Sequence, residues 1–532
     1  MPAIAWRDLD ASSGPFDAIV IGSGVGGLGA AALLAREAGR RVLVLERHTV
    51  AGGMTHVFSR KGWEWDVGVH YIGGVHRPDA PLRRVFDHVT DGSLAWEPMG
   101  EPVDTVVVGG GRYPYMVGRQ RWRDAMVEAF PGEAGAIDRY LELVRETVRA
   151  TGPFFTASAL PRPAQWLTGW KLRRPFLKWS DRTVAEVLDG LTENALLRAV
   201  LTAQWGDYGL PPSRASWAVH AMVFHHYLGG GAYPVGGSSS IAAAMIPVIE
   251  AAGGVVVTGA GVERVLVDGG RAVGVRMEDG RELRAPLVIS DAGVATTATR
   301  LLPEGAPGRR ELLGTLRRVG RSGGHVCLYV GLDATDAELG LGRSNLWIYP
   351  HEDVDRAIAT YEADPGAPLP LAFVSFPSAK DPTFGERHPG KATIEVVGFA
   401  PFAWFERWRD TPWRRRGEDY EALKERLAAR YLEVLYEHVP QVRGRVAHQE
   451  LSTPLSTRWF CNYEEGEIYG LDHTPARFRE RTLQPRTPLR GFWLTGADVC
   501  TAGVSGALLG GVLCASAILG KNLMGRILSG GG

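Results

Sequence analysis

Apolar positions along this chain come in blocks, and the clearest block lies near the N-terminus. Residues 17–46, DAIVIGSGVGGLGAAALLAREAGRRVLVLE, hold a continuous apolar run, a glycine-rich turn, an Ala/Leu-rich stretch and a second apolar run that ends in an acid. Short apolar runs bounded by turn residues predict buried strands and the longer Ala/Leu stretch predicts a helix, so the block is a strand, helix, strand unit. A related block near the other end, GFWLTGADVCTAGVSGALLGGVL, predicts a strand over 492–495, a turn at Gly496, Ala497 and Asp498, and a helix that opens at Gly503 and Gly506. Between them, residues 233–293 predict a helix and several strands separated by GG and DG turns. Residues 404–440 carry a Leu/Tyr stripe after residue 420 and stop at Pro440, which predicts an amphipathic helix facing the core. The apolar stretch 504–520 is short of the roughly 20 residues a membrane span needs and predicts a buried helix.

Gly22, Gly24 and Gly27 fill the pattern G-x-G-x-x-G between the first strand and its helix. The first glycine permits a tight turn, the second lets backbone approach a pyrophosphate, and the third lets helix and strand pack closely. The phosphates then meet the positive end of a helix. Glu46 closes the second strand at about the spacing where a carboxylate reaches a ribose hydroxyl, and an acid there disfavours a 2′-phosphate. A plain NAD domain has no need for the doublet Gly52-Gly53 or for a second glycine-opened helix at 503. An extended FAD does, with one helix end at the pyrophosphate and another near the flavin, and Asp498 at the ribityl or phosphate end. GAGVER (259–264) has Arg where the third glycine belongs and leads into a strand, so a second nucleotide site is not expected.

Lys plus Arg and Asp plus Glu are 59 each, a net charge of zero that argues against a nucleic-acid partner. Sixty-eight glycines in 532 residues is nearly twice the usual share of about 7% and fits many tight turns. Cys327, Cys461, Cys500 and Cys514 form no CxxC pair and read as four buried thiols of a cytoplasmic protein. No apolar leader follows the N-terminus, so no secretory signal is expected. His220 and His225 are five apart without a carboxylate or cysteine partner, so no metal site is expected. Residues 154–180 mix Trp166, Trp170, Phe176 and Trp179 with Lys171, Arg173, Arg174 and Lys178, as in a helix lying in a membrane interface or in a soluble amphipathic lid.

The motifs resemble, in order, those of the phytoene desaturase, carotenoid isomerase and retinol saturase branch of the FAD-dependent, amine-oxidase-like superfamily. The matching segments are GSGVGGLGAAALLA, LERHTVAGG, WDVGVHYIGG (65–74), YPVGGSSSIAAAM (233–245), VISDAG, LLPE and LTGADVCTAGVSGALLGG. DVGVHYIGG is most similar to the retinol saturases. Asp291 departs from the pattern, because related sequences often carry Asn there; this touches one local contact. The resemblance implies an α/β fold with a discontinuous Rossmann-type, glutathione-reductase-like FAD domain (14–75, 231–299 and 486–530) and a mixed α+β substrate domain (76–230 and 300–485). It places Gly22, Gly24 and Gly27 at the pyrophosphate, Glu46 at the adenosine ribose, and Arg47, Gly53 and Met54 along the phosphate and ribityl path. Val262 would face the adenosine, and Gly496, Asp498 and Val504 the flavin end. Residues 66–74 would form a strand beneath the flavin.

A flavin exchanges a hydride with one carbon of a C–C bond while an acid or base handles the proton at the other. His70 and Tyr71 are candidates for the proton path, although in a strand only one of the two could face the substrate. His226, in the segment that includes His220, His225 and Tyr227, and Tyr469, in a loop that also holds Tyr463, are further candidates. The expectation is an FAD-dependent oxidoreductase that saturates or desaturates a long apolar lipid in a tunnel, in peripheral contact with a membrane. Its electrons would pass to or from a quinone, oxygen or another protein. The alternatives are a polyene cis/trans isomerase, an amine oxidase, and a prenyl-binding escort without flavin.

Overall fold

The short apolar runs Ala18–Ile21, Val42–Leu45, Leu287–Ser290 and Phe492–Leu494 are buried almost throughout, as strands covered on both faces must be. In the computed structural model, which describes residues 3–9 and 14–530, they pair in one parallel six-stranded sheet. Its order is Ile4–Ala5, Val255–Thr258, Val42–Leu45, Ala18–Ile21, Leu287–Ser290, Phe492–Leu494. The sheet therefore gathers strands from three separated parts of the chain. It also recruits Ile4–Ala5, so this unit begins before residue 14.

Helices Val25–Ala38 and Gly503–Leu519 cross one another through small residues. A Cβ on Gly511 would lie 2.8 Å from the Gly26 carbonyl oxygen and 3.0 Å from the Ala30 nitrogen, a closeness only glycine tolerates without a shift. That contact brings the two helix N-termini to one place. Among the described residues no single helix is long and apolar enough to cross a membrane; Gly503–Leu519 and Leu523–Ser529 reach the threshold only jointly and are bent by 111°.

The rest of the chain builds a mainly antiparallel seven-stranded sheet. Its order is Val446–Ser452, His325–Leu332, Ala392–Phe399, Ala372–Ser375, Asn345–Ile348, Asp104–Val108, Gly111–Tyr115, with one parallel pair, Asn345–Ile348 with Asp104–Val108. The amphipathic helix expected over 404–440 begins only at Glu418, because Pro412 and a left-handed Gly417 interrupt the chain after the short turn Phe402–Trp408. The segment 154–180 is not one helix. Ala134–Ala159 ends before Pro161, and Arg162–Ser180 begins a second helix with Phe176 and Trp179 buried and Trp166, Leu167 and Trp170 exposed.

Candidate active site

The first glycine turn follows from its sterics. Gly22 has φ +99°, and a Cβ on Gly27 would stand 2.4 Å from the Gly22 carbonyl oxygen. Helix Val25–Ala38 then starts after Gly24 with no side-chain cap, and helix Gly503–Leu519 starts after Ala502 with none either. Both N-termini line a single cavity of about 570 Å³, to which they present uncapped backbone N–H groups and the positive ends of their dipoles. Such ends bind anions and carbonyl oxygens.

Glu46 is buried on the cavity wall and ties two glycine loops together. Its carboxylate accepts from the Ser23 N–H (2.9 Å), the Ser23 hydroxyl (2.7 Å) and the His48 N–H (2.6 Å), while Ser23 Oγ accepts from the Gly52 N–H (3.0 Å). Gly53, Met54, Val262 and Val504 line the same cavity, and Met54 Sδ receives the Cys461 thiol at 3.2 Å. Cys461 is thus a cavity residue, half-buried unlike the other three cysteines. Arg47 reaches across to donate to the Trp459 carbonyl, and its Nε is buried without a partner. Gly27 and Gly496 lie behind the wall: Gly27 supports the turn, and a Cβ on Gly496 would strike Asp291 Oδ1.

Asp498 does more than face a cofactor. Its carboxylate accepts from the Val294 N–H (2.7 Å) and the Leu471 N–H (3.0 Å) and lies 3.5 Å from the buried Arg477 guanidinium, which joins three distant segments at the cavity edge. Asp291 is more than a local contact too. It sits between Gly24, Gly27 and Gly496, bonded to the Gly27 N–H, and burial first, then the charges of Glu46 and Asp498, push its carboxyl up to about 8. Held neutral, it offers one donor and one acceptor, as an asparagine does.

The other end of the cavity is apolar, walled by Val148, Phe155, Trp205, Trp347, Leu371 and Phe373, over a polar floor. The expected strand over 66–74 is not formed. Pairing ends with the ladder bond from the Val67 N–H to the His56 carbonyl and resumes only at Ile72–Gly73; between them the His70 carbonyl accepts from Lys380 (2.9 Å) rather than from a neighbouring strand. As a result both His70 and Tyr71 line the cavity, where a strand would have exposed only one.

His70 Nδ1 lies 2.9 Å from Glu395 Oε2, but the two are not aligned for a hydrogen bond and each is buried without a hydrogen-bond partner among the described residues; the other Glu395 oxygen accepts from the Asp66 N–H (2.9 Å). Lys380 also donates to Ser375 Oγ (2.7 Å) and to Asn345 Oδ1. Asp66 accepts from the Tyr233 hydroxyl and the Ser238 N–H (3.1 Å). Burial dominates every shift: Glu395 rises to about 8, Asp66 to about 7, Lys380 falls to about 7, and His70, which also feels the Lys380 charge, falls to about 3. The His70–Glu395 contact is therefore a neutral acid facing a neutral imidazole. Buried groups held near neutrality beside a cleft are the signature of acid–base chemistry.

The other candidates are committed elsewhere. Tyr71 donates to Asp104 (2.9 Å) and stacks on Tyr227 at 4.1 Å; Tyr469 donates to the Gly206 carbonyl (2.9 Å). His226 Nε2 accepts from the Gly73 N–H (2.8 Å), and burial holds the ring down to about 4, so it acts as a neutral strut. His220 is a core residue between the Tyr140 and Tyr208 hydroxyls (2.8 and 3.1 Å). Sequence reasoning missed Ser23, Asp66, Asp104, Asp207, Lys380 and Glu395. One signal was available: Glu395 interrupts the apolar run ATIEVVGF, where a charge must be paired or functional.

Residues 20–89 match the model of the NAD(P)-binding Rossmann-like domain family. In structure, the chain is similar to a putrescine oxidase bound to putrescine, with a TM-score of 0.63 at 16% identity, covering 95% of this chain and 99% of that one. In sequence, it is 41% identical to the all-trans-retinol 13,14-reductase of Danio rerio over 95% of this chain and 86% of that protein. It is also 33% identical, over the same shares, to an inactive all-trans-retinol 13,14-reductase of Danio rerio. The structural likeness shows the fold, and the sequence likeness, spanning both glycine turns and the polar floor between them, shows that the chain belongs to the all-trans-retinol 13,14-reductase family of oxidoreductases.

Proposed function

We propose that this protein is an FAD-dependent reductase of a carbon–carbon double bond in a long apolar polyene alcohol of the retinol class. One observation carries the reading: two uncapped helix ends over a glycine cradle open into the same cavity as an apolar chamber floored by His70, with Glu395 buried directly behind that ring. The residues present fit the cofactor. Gly24 and Gly53 present bare backbone to the cavity for a pyrophosphate and ribityl chain, Glu46 has lone pairs for a ribose, Arg47 Nε lacks a partner, and the N-terminus of Gly503–Leu519 suits a flavin carbonyl. A flavin bound there would supply a hydride to one alkene carbon.

The chain's own task is the proton. The His70 ring lines the chamber, and behind it Glu395, a carboxyl that burial keeps protonated near neutral pH, stands with Oε2 2.9 Å from Nδ1, so a small rotation would align the pair for proton transfer. As the far ring nitrogen releases its proton to the second alkene carbon, Nδ1 takes the proton of Glu395, leaving a neutral imidazole and a carboxylate that faces the Lys380 ammonium. The apolar walls exclude water, and Tyr71, Tyr227 and Phe373 flank the polyene.

The exposed Trp166, Leu167 and Trp170, with Lys171 over the Trp170 ring, support contact with a membrane on its cytoplasmic side. The neighbouring helix Ala134–Ala159 supplies Val148, Thr151 and Phe155 to the cavity wall, so a lipid would pass from bilayer to chamber along this pair. With one dinucleotide turn, electrons would arrive from a quinone pool or a protein donor. The test is anaerobic: reduce the protein with dithionite and add all-trans-retinol, a carotenoid or an unsaturated fatty acid separately. Reoxidation by retinol is expected; a protein purified without flavin, or one that none of the three reoxidises, overturns the reading.

A further inference from the structure

One acid in the chamber is used by nothing described above. Asp207 ends the short turn Ala203–Asp207 and lines the cavity among the phenols of Tyr71, Tyr227 and Tyr469. Among the described residues its carboxyl has no hydrogen-bond partner, and Oδ2 is buried. Three nearby donors are spoken for: Tyr71 by Asp104, Tyr469 by the Gly206 carbonyl, Gln204 by Asp104 (2.9 Å). Its neighbour Asp104 sets the contrast. Burial raises both acids, but donors from Asn345, Tyr71 and Gln204 pull Asp104 back, whereas nothing pulls Asp207 back and the Asp104 charge pushes it further up. Asp207 is therefore the neutral member of the pair.

An unpaired polar group in an apolar chamber is costly unless a ligand completes it. We propose that Asp207 is the polar anchor of the substrate chamber, a carboxylic acid that receives the terminal hydroxyl of a long apolar alcohol. The hydroxyl hydrogen would donate to the carbonyl oxygen of the acid, and the hydroxyl oxygen would accept the acid's O–H. A carboxylate at the same place would instead select an ammonium. The proposal rests on the lipid-reductase reading and adds to it a rule for which end of the lipid enters first. His70, on the same floor, would then meet a double bond at a set distance from the hydroxyl.

Binding tests this without turnover. Trp205 and Trp347 are in the chamber wall, so a bound polyene quenches tryptophan fluorescence of the holoprotein. Three probes share one carbon skeleton: all-trans-retinol, the same polyene ending in a methyl group, and retinylamine. Wild type should hold the alcohol about tenfold tighter than the hydrocarbon, the size of one good hydrogen bond to an otherwise unpaired group. Asp207→Asn, which still donates and accepts, should keep most of that preference, and Asp207→Leu should abolish it while the hydrocarbon still binds. Asp207→Leu should also fold, with an unfolding midpoint at or above that of wild type, because it removes a buried unpaired acid. Equal binding of alcohol and hydrocarbon by wild type, or an unchanged preference in Asp207→Leu, refutes the anchor and leaves the lipid reading standing. A preference for the amine that grows with pH refutes the neutral acid, and failure of all three probes to bind refutes the reductase reading itself.

Discussion

Replacing Glu395 by Gln isolates the proton path from the fold. The amide oxygen can still accept from the Asp66 N–H (2.9 Å), and the amide nitrogen would stand where Glu395 Oε2 does, 2.9 Å from His70 Nδ1. Lys380 keeps its bonds to the His70 carbonyl, Ser375 and Asn345. What the amide cannot do is give up a proton. A positioned acid contributes roughly 10²–10⁴ in rate, which at 1.36 kcal/mol per tenfold is about 3–5 kcal/mol of barrier. Glu395→Gln should therefore slow reoxidation of the reduced protein by its polyene about a hundredfold or more in anaerobic stopped flow. Flavin absorbance should be unchanged and the unfolding free energy measured in urea should change by less than about 1 kcal/mol. The pH profile gives a second readout. Donation needs the protonated acid, so the wild-type rate should hold up to about pH 8 and fall above it as Glu395 ionises, whereas the variant should be flat there. Burial sets that midpoint high, and the Lys380 charge and the Asp66 N–H pull it back; Asp66, His70, Tyr233, Cys327 and Tyr329 also face Glu395. A variant that reoxidises at the wild-type rate, with the same fall above pH 8, would refute the relay.

Three further outcomes follow from geometry. Gly27→Ala places a Cβ 2.4 Å from the Gly22 carbonyl and must shift the turn, so the protein should purify with little flavin absorbance and lose about 1–3 kcal/mol in urea unfolding. The Asp291 carboxyl has a folded pKa raised to about 8, so its contribution is present at low pH and is lost as pH rises through that value. Asp291→Asn should remove a fall in stability between about pH 4 and 8 whose slope is at most about 1.4 kcal/mol per pH unit; denaturation midpoints across that window check it. Substituting Asp for both Trp166 and Trp170, which are 81% and 54% exposed, should lower sedimentation with anionic vesicles severalfold with almost no loss of thermal stability.

The nucleotide half of the molecule was legible because its chemistry is local. A strand, a tight glycine turn and a helix lie within thirty residues, and the constraint at Gly22 is written in the residue that meets it. The chamber was not legible, because its parts are distant neighbours: Asp66 and Glu395, Lys380 and His70, Asp207 and Tyr469 meet only after two sheets have formed. Even the local expectation at His70 and Tyr71 failed, because the strand there was implied by the family resemblance. There the His70 carbonyl accepts instead from Lys380, more than three hundred residues away.

The charge balance of the floor bears on the direction of the reaction. Three carboxyls, Asp66, Asp104 and Glu395, lie close enough to one buried cation, Lys380, for each to favour its charged form. One ammonium can compensate about one carboxylate in a medium this dry, since an unpaired buried charge costs several kcal/mol. Asp104 has the strongest claim to that negative charge, because Asn345, Tyr71 and Gln204 all donate to it and Asn345 in turn accepts from Lys380. Asp66 and Glu395 must then keep their protons near neutral pH, which agrees with carboxyls pushed up to about 7 and about 8. A site that rests with its acids protonated next to a neutral imidazole is set to deliver a proton. A desaturase needs the reverse, a base that is empty at rest. Lys380→Met, by removing the cation, should push Asp104 to keep its proton as well. It should leave the floor overloaded with acid, slowing recharge after each turnover more than the first transfer, a difference that single-turnover and steady-state rates measured side by side would expose.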